Sequence, residues 1–228
     1  QARFSPRPRS IRSVRRFSWT NQGTYIENLQ GRPETRIADT EFAVELQNSD
    51  RFAVGYSHEY ELLPRPFRVG PAVTLPVGGY HFDNGRIGYT FGQQRKLAGN
   101  VLAEYGSFYN GHRAALSASR GRLSITPRLA VEPGISINAV KLVEGSFTST
   151  LVTSRGTYTV TPFMFVSALM QYNSGTHTMS TNARLRWEYK PGSELFVVYN
   201  DERDTLAPRF PGLLNRALIV KVNRLLRF

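Results

Sequence analysis

The side chains of this 228-residue chain that could carry chemistry are few and scattered. Histidine occurs four times, at His58, His81, His112 and His177. No two stand four apart, the spacing that sets two imidazoles on one helix face around zinc, and none accompanies a nucleophile motif. His81 and Asp83 would share one strand face near a loop, where an acid–base pair or metal ligand could form and where an interfacial histidine fits as well. Glu59 with Glu61, and Glu41 with Glu45, are carboxylate pairs of the kind used in general acid–base catalysis. Lying along strand faces opposite basic residues such as Arg184 and Arg186, they also suit a charged lattice that holds a wall together. Val77-Gly78-Gly79-Tyr80 lacks the strand-to-helix setting of a phosphate loop. Without Cys there is neither a disulfide nor a thiolate site. No catalytic, metal or cofactor site is expected, and the chain is read as a non-enzyme.

Composition narrows the class. The hydrophobic fraction is 40%, and no run reaches the roughly 20 apolar residues of a spanning helix. Lys and Arg outnumber Asp and Glu by 29 to 17, a net charge of +12. Such a balance suits nucleic acid, an anionic lipid surface or an anion-attracting lumen. The basic residues are spread along the chain, with one dense run at Arg7, Arg9, Arg12, Arg15 and Arg16. The chain opens on Gln1 without a charged-then-apolar leader, so it is read as a processed chain or the C-terminal portion of a longer one.

The elements that position these residues are strands, because the period is two. From Arg51 to Leu62, Phe52, Val54, Tyr56, His58, Tyr60 and Leu62 alternate with Arg51, Ala53, Gly55, Ser57, Glu59 and Glu61. From Leu129 to Ala139, Leu129, Val131, Pro133, Ile135, Ile137 and Ala139 oppose Ala130, Glu132, Gly134, Ser136 and Asn138. Ala183, Leu185, Trp187 and Tyr189 oppose Asn182, Arg184, Arg186 and Glu188. The last strand sets Leu218, Val220, Val222, Leu226 and Phe228 against Asn215, Lys221, Asn223 and Arg227. The polar faces are rich in small residues and in charges of both signs, as a crowded wet lumen requires. The apolar faces end in Tyr, Phe and Trp, as an interfacial girdle requires.

This predicts about twelve strands, near 10–27, 32–47, 51–62, 79–92, 98–109, 112–125, 129–140, 146–159, 163–173, 177–189, 194–203 and 215–228. Asn48-Ser49-Asp50, Thr126-Pro127-Arg128, Thr161-Pro162 and Lys190-Pro191-Gly192-Ser193 supply turn chemistry. These turns, with a longer link near Gln93–Leu97, fall at every second connection, and the two longest links, Leu63–Val77 and Glu202–Leu214, fall at the other end. That alternation is the pattern of outer-membrane barrels. The expectation is therefore an all-β, antiparallel up-and-down transmembrane β-barrel over residues 1–228, in the bacterial outer membrane. Arg51, Glu59, Glu61, Glu132, Arg184, Arg186, Glu188 and Lys221 are expected to face the lumen. Tyr56, Tyr60, Trp187, Tyr189 and Phe228 are expected in the girdle. Val220, Val222, Leu226 and Phe228 resemble the terminal signal read by the barrel-assembly machinery.

The stretches 185–199 (LRWEYKPGSELFVVY) and 215–222 (NRALIVKV), with Phe4-Ser5-Pro6-Arg7-Pro8, Tyr105-Gly106-Ser107-Phe108-Tyr109 and Leu142-Val143-Glu144-Gly145-Ser146-Phe147, resemble the domain-of-unknown-function 5916 family. The resemblance is strongest over the last fifty or so residues. It implies a C-terminal outer-membrane barrel that, in longer members, follows an N-terminal carbohydrate-binding-like module absent from these 228 residues. It implies no established activity.

Four functions fit in decreasing degree. The first is a porin-like or transport-related barrel with a basic-leaning lumen, which would prefer anions if it conducts. The second is a structural anchor for a missing carbohydrate-binding-like module. A soluble basic β-protein binding polyanions follows, and a rim-sited lipase or protease comes last for want of any local motif. Expected partners are outer-membrane lipid and lipopolysaccharide, the assembly machinery and other envelope proteins, with no nucleic acid. The stretch Asp201-Glu202-Arg203-Asp204 is read as a mixed-charge loop at the mouth, where Glu202 and Arg203 could touch lipopolysaccharide, a ligand or a partner.

Overall fold

The structure, a computed structural model, describes residues 1–70, 72–94, 97–207 and 211–226, with the side chains of Leu97, Arg120 and Arg122 outside it. Fifteen strands are assigned among these residues: β1 (Ala2–Phe4), β2 (Val14–Glu27), β3 (Pro33–Leu46), β4 (Arg51–Leu63), β5 (Phe67–Gly70), β6 (Val73–Leu75), β7 (Gly78–Phe91), β8 (Leu97–Phe108), β9 (Gly111–Ser124), β10 (Leu129–Leu142), β11 (Gly145–Thr161), β12 (Met164–Asn173), β13 (Thr178–Lys190), β14 (Ser193–Asp204) and β15 (Gly212–Asn223). The described residues hold no helix. Thirteen strands form one sheet in the order β1-β2-β3-β4-β7-β8-β9-β10-β11-β12-β13-β14-β15, and β5 pairs with β6 in a separate hairpin. The sheet is an antiparallel meander.

Each of the twelve predicted strands has its counterpart, from β2 to β4 and from β7 to β15. Four features differ. The sheet gains β1, whose three residues are too few to show a period. The long 63–77 link carries the β5–β6 hairpin. The first predicted strand starts at Val14 rather than residue 10, because the Val14 amide closes a turn onto the Ile11 carbonyl at 3.1 Å. The last ends at Asn223, so Leu226 lies past it and Phe228 lies outside the described residues. The expected closure is also corrected: among the described residues β1 and β15 end the sheet order and are not paired with each other.

Turn chemistry explains the direction changes. At 47–50 the Asp50 amide donates to Asn48 Oδ1 at 3.0 Å, and Ser49 takes φ 64°. Gly192, at φ 74° after Pro191, supplies the left-handed residue of the β13–β14 turn. Connections alternate between two edges of the meander. The short turns at 47–50, 125–128, 162–163 and 191–192 fall on one edge, and the long links 64–77 and 205–211 on the other. The second edge also carries two tight turns, at 109–110 and 143–144.

Two compact units divide the chain. Unit 1 holds Gln1–Ala118 and Ser136–Ser149, and unit 2 holds Ser119–Ile135 and Thr150–Phe228. In unit 1 the register stacks like with like. Phe17, Val44, Phe52, Tyr89 and Val101 form one cross-strand row, and Trp19, Phe42, Val54, Ile87 and Ala103 the next. The opposite face carries Ser18, Ala43, Ala53, Gly88 and Leu102, then Thr20, Glu41, Gly55, Arg86 and Glu104. Trp19 is 55% exposed and Ile87 56%, whereas Ala43 is 0% and Ala53 7%. The apolar face is thus the open one, the reverse of a sheet packed on a hydrophobic core.

Unit 2 also stacks apolar rows, without the same contrast in exposure. Met164, Trp187, Leu195 and Val222 form one row, Val166, Leu185, Val197 and Val220 the next, and Ala168, Ala183, Tyr199 and Leu218 a third. On the edge strand β15 Val220 is 58% exposed on this face and Ile219 54% on the other. The other face carries Phe165, Arg186, Phe196 and Lys221, and beside them Ser167, Arg184, Val198 and Ile219.

Candidate functional site

The polar face of unit 1 is a lattice of charges bridging neighbouring strands. Arg16 on β2 pairs with Glu45 on β3, its register partner, and Arg51 on β4 reaches diagonally to Glu41 on β3. Arg86 on β7 crosses a whole strand: its Nη1 and Nη2 donate to Asp39 Oδ2 and Oδ1 on β3 at 2.5 and 2.9 Å. It crosses over Gly55 on β4, its register partner. A Cβ at that position would lie 2.5 Å from Arg86 Nε, so glycine leaves the space that the guanidinium occupies. Arg113 on β9 faces Glu104 on β8 at 3.8 Å.

Toward the long-link edge this face carries Glu59, Glu61 and Leu63. Glu59 accepts from the Ser57 hydroxyl at 2.9 Å, and Glu61 accepts from Tyr109 Oη at the same distance. Above them sits the β5–β6 hairpin. Val73 and Leu75 are buried with Leu63, Val140 and Leu142, and Val69, Tyr80, Phe108, Tyr109 and Phe147 close the cluster. Phe147 lies against Gly70, where a Cβ would be 2.6 Å from its ring. Burial, followed by the hydrogen bond to Glu61, raises the Tyr109 phenol well above its ordinary pKa of 10. One edge of the polar face of unit 1 is therefore covered by a small apolar core built from its own loop.

In unit 2 Arg186 donates through Nε to Glu194 at 3.0 Å and lies 6.0 Å from the rings of both Phe165 and Phe196. Glu188 accepts from the Gly192 amide at 3.0 Å. Arg184 and Lys221 share this face and are exposed. Glu132 lies half-buried on β10. Further along the same face Gln171, Ser180, Glu202 and Asn215 make one row beside a cavity of about 200 Å³.

Charge on these faces is close to balanced. Arg3, Arg16, Arg51, Arg86 and Arg113 stand against Asp39, Glu41, Glu45, Glu59, Glu61 and Glu104 in unit 1. Arg155, Arg184, Arg186 and Lys221 stand against Glu188, Glu194 and Glu202 on β11 and β13–β15. The basic excess of the chain therefore lies elsewhere, and Arg7, Arg9 and Arg12 precede β2 on exposed positions.

The apolar faces have polar limits. In unit 1 Tyr56 Oη donates to Asp83 Oδ1 at 2.5 Å, and His58 Nδ1 meets the same oxygen at 2.8 Å. His81 shares the face, as expected, but its ring lies against those of His58 and Tyr60, at 5.8 and 4.9 Å, and not on Asp83. The missing signal was the β4–β7 register, which sets His58 opposite Asp83. One row further out, Tyr25, Arg36, Tyr60 and His81 stand side by side, with the Arg36 guanidinium 4.9 Å above the Tyr60 ring. In unit 2 Asp201 on β14 accepts from Arg203 Nε at 2.5 Å, from Tyr199 Oη at 3.0 Å and from Arg216 Nε at 3.1 Å. Asp201 and Arg203 thus belong to the end of β14, in the strand expected at 194–203 and not in the mouth loop also expected there. At the opposite edge of this face Trp187 packs edge-on to Tyr189 at 6.0 Å.

His112 stacks with Tyr105 at 6.4 Å, and His177 sits in the β12–β13 turn at φ 53°. Among the described residues no three His, Asp or Glu side chains converge to hold a metal ion. No family model matches the chain, and no curated protein or solved structure matches it.

Proposed function

We propose that this chain is the wall of an outer-membrane-type β-barrel whose apolar face meets lipid and whose charged face lines a wet, narrow interior. The observation that carries the reading is the inverted meander: rows of Phe, Trp, Val, Ile and Leu are open, while small and ion-paired residues are covered. Water gives no reason to expose such rows together; hydrocarbon does. The dimensions are of the right order. Six residues separate Phe52, whose row holds Tyr89, from the His58–Asp83 row. Six also separate Trp187 from Thr181, the register partner of Asp201. At about 3.4 Å per residue each stretch is roughly 20 Å long, and one further row at an edge brings it to roughly 27 Å along the strand, which a tilt of about 40° reduces to roughly 20 Å of height, a little short of an apolar band about 25 Å tall.

Closure is part of the proposal: the free edges of β1 and β15 require partners, from each other or from further strands. The reading retains the expected partners, namely outer-membrane lipid, lipopolysaccharide and the assembly machinery, and it retains the resemblance to the domain-of-unknown-function 5916 family. It carries no anion preference, because the charges of the polar faces balance. A second reading, a structural anchor and not a passage, is favoured by the Arg86–Asp39 bridge and by the β5–β6 hairpin, both of which occupy the polar face.

Detergent partition and gel mobility before and after boiling test the barrel. A detergent-requiring chain whose mobility shifts on boiling supports it, and a chain soluble without detergent and lacking the shift removes it. Replacing residues 66–76 by a short Gly/Ser link then separates the two readings in planar bilayers. Conductance that appears on removal of the hairpin favours a passage, and its continued absence favours the anchor.

A further inference from the structure

We infer that Arg203 and Arg216, gathered on Asp201 at the long-link edge of the apolar face of unit 2, hold the phosphate of an anionic lipid. The inference rests on the membrane reading above and adds a ligand and its residues. One carboxylate needs one cation, yet Asp201 receives two guanidiniums. Arg203 engages it with Nε and Nη2, and Arg216 with Nε alone. Asp201 is buried, whereas the Arg216 side chain is half exposed. The group therefore carries one surplus positive charge and presents the rest of the Arg216 fork outward. Beside it in the row are Thr181 and Met170, which bring no counter-charge.

Position decides what that surplus meets. The next rows inward are Ala168, Ala183, Tyr199 and Leu218, then Val166, Leu185, Val197 and Val220. An unneutralised cation at the margin of such a surface is costly, and a ligand supplying phosphate above and acyl chain below satisfies both parts. The guanidinium plane suits phosphate oxygens, and Leu218 and Val220 would lie along the chain. Glu202 and Asp204 do not oppose it, since their alternation places them on the other face. The two arginines lie thirteen residues apart in sequence and meet only because β14 pairs with β15.

The test is native mass spectrometry of the folded full chain in micelles, offered phosphatidylglycerol and phosphatidylcholine with identical acyl chains. The wild type is expected to retain the anionic lipid roughly ten-fold better, the scale of one charge-assisted contact. Arg216→Gln, which leaves Arg203 on Asp201, should remove most of that preference. Asp201→Asn, which keeps the shape and frees both guanidiniums, should raise it above wild type. A merely structural cluster predicts loss in neither case or in both. Equal retention of the two lipids by a heat-modifiable wild type overturns the inference and leaves the barrel standing. A fall in anionic preference in Asp201→Asn overturns it too, even if Arg216→Gln does not fold. Glycerol 1-phosphate binding as tightly as the lipid would overturn the lipid assignment. A chain that needs no detergent and shows no mobility shift removes the inference along with the membrane reading.

Discussion

Gly55→Ala should destabilise the protein although alanine suits a strand better than glycine. The new Cβ would lie 2.5 Å from Arg86 Nε and 2.6 Å from Cζ, so the guanidinium must leave its path to Asp39. It then loses two charge-assisted hydrogen bonds of 2.5 and 2.9 Å. Each such bond is worth about 1.5–3 kcal/mol when well protected. The two side chains are about a quarter exposed, so together they contribute about 2–3 kcal/mol. Against this stands a gain of about 0.5–1 kcal/mol from replacing glycine within a strand. The net loss should be about 1–2 kcal/mol, read as a lower urea midpoint for unfolding from lipid vesicles. Two controls make the reasoning specific. Gly23→Ala, where nothing lies within 4 Å of the new Cβ, should be neutral or stabilising by up to about 1 kcal/mol. In an Arg86→Ala background Gly55→Ala should lose its cost altogether. Equal effects at Gly23 and Gly55, or an undiminished cost without Arg86, would refute the crossing of Gly55 by Arg86 as the reason for glycine.

Val54→Arg places a cation in the middle of the open apolar face of unit 1, and should cost about 2–4 kcal/mol in a bilayer but almost nothing if that face meets water; comparing unfolding in vesicles with unfolding in detergent reads the difference. Leu75→Ala removes a fully buried side chain from the hairpin core, and should cost about 2–5 kcal/mol locally, seen as faster amide exchange over β5 and β6 than over β3. Tyr109 has a folded pKa above its unfolded value of 10, so the unfolded chain releases its proton first as pH rises and stability falls above about pH 10; Tyr109→Phe should abolish that alkaline loss, measured as the pH dependence of protease cleavage at 64–77. Asp50 is buried and accepts from Tyr89 Oη at 2.8 Å and from the Gly92 amide at 2.7 Å, tying the 47–50 turn to β7, so Asp50→Ala should lower the urea midpoint by an amount equivalent to about 2–3 kcal/mol, and Asp50→Asn by less.

The strands were legible because their two faces meet different surroundings, and the alternation at Arg51–Leu62 or Asn182–Tyr189 records that directly. The carboxylate pairs were legible as members of a lattice, but their partners were not. Glu41 and Glu45 find Arg51 and Arg16 through the β2–β3–β4 register, and no period within one strand reveals register. The β5–β6 hairpin was invisible for a related reason. Phe67–Gly70 and Val73–Leu75 are too short to show alternation, and their apolar residues answer to Leu142 and Phe147, far away in sequence. In sequence, Asp201 and Arg203 read both as the end of the strand at 194–203 and as part of a mixed-charge loop at the mouth, and the strand reading is the one that holds. Both lie in the strand, with Asp201 accepting from Arg203 and, on β15, from Arg216.

Placement of the positive charge also bears on mechanism. A net charge of +12 would suggest an anion-selective interior if it lined the polar faces. Those faces instead pair arginine with carboxylate, and the first fifteen residues alone contribute Arg3, Arg7, Arg9, Arg12 and Arg15 without any acid. Because β2 begins at Val14 on the short-turn edge, this segment enters the sheet there, where Phe17 donates to the Pro6 carbonyl at 3.0 Å and Gln47 to that of Ser13 at 3.0 Å. In the barrel reading that edge faces the periplasm. The charge of Arg7, Arg9, Arg12 and Arg15 then acts on what approaches the short-turn edge, as the Arg203–Arg216 pair does at the other, and not on what crosses the interior. In that reading an interior of paired charges, bridged over Gly55 and covered along one edge of unit 1 by the β5–β6 hairpin, suits a wall held rigid more than a conduit tuned for ions. Selectivity, where conductance follows removal of the hairpin, should accordingly be weak for either sign.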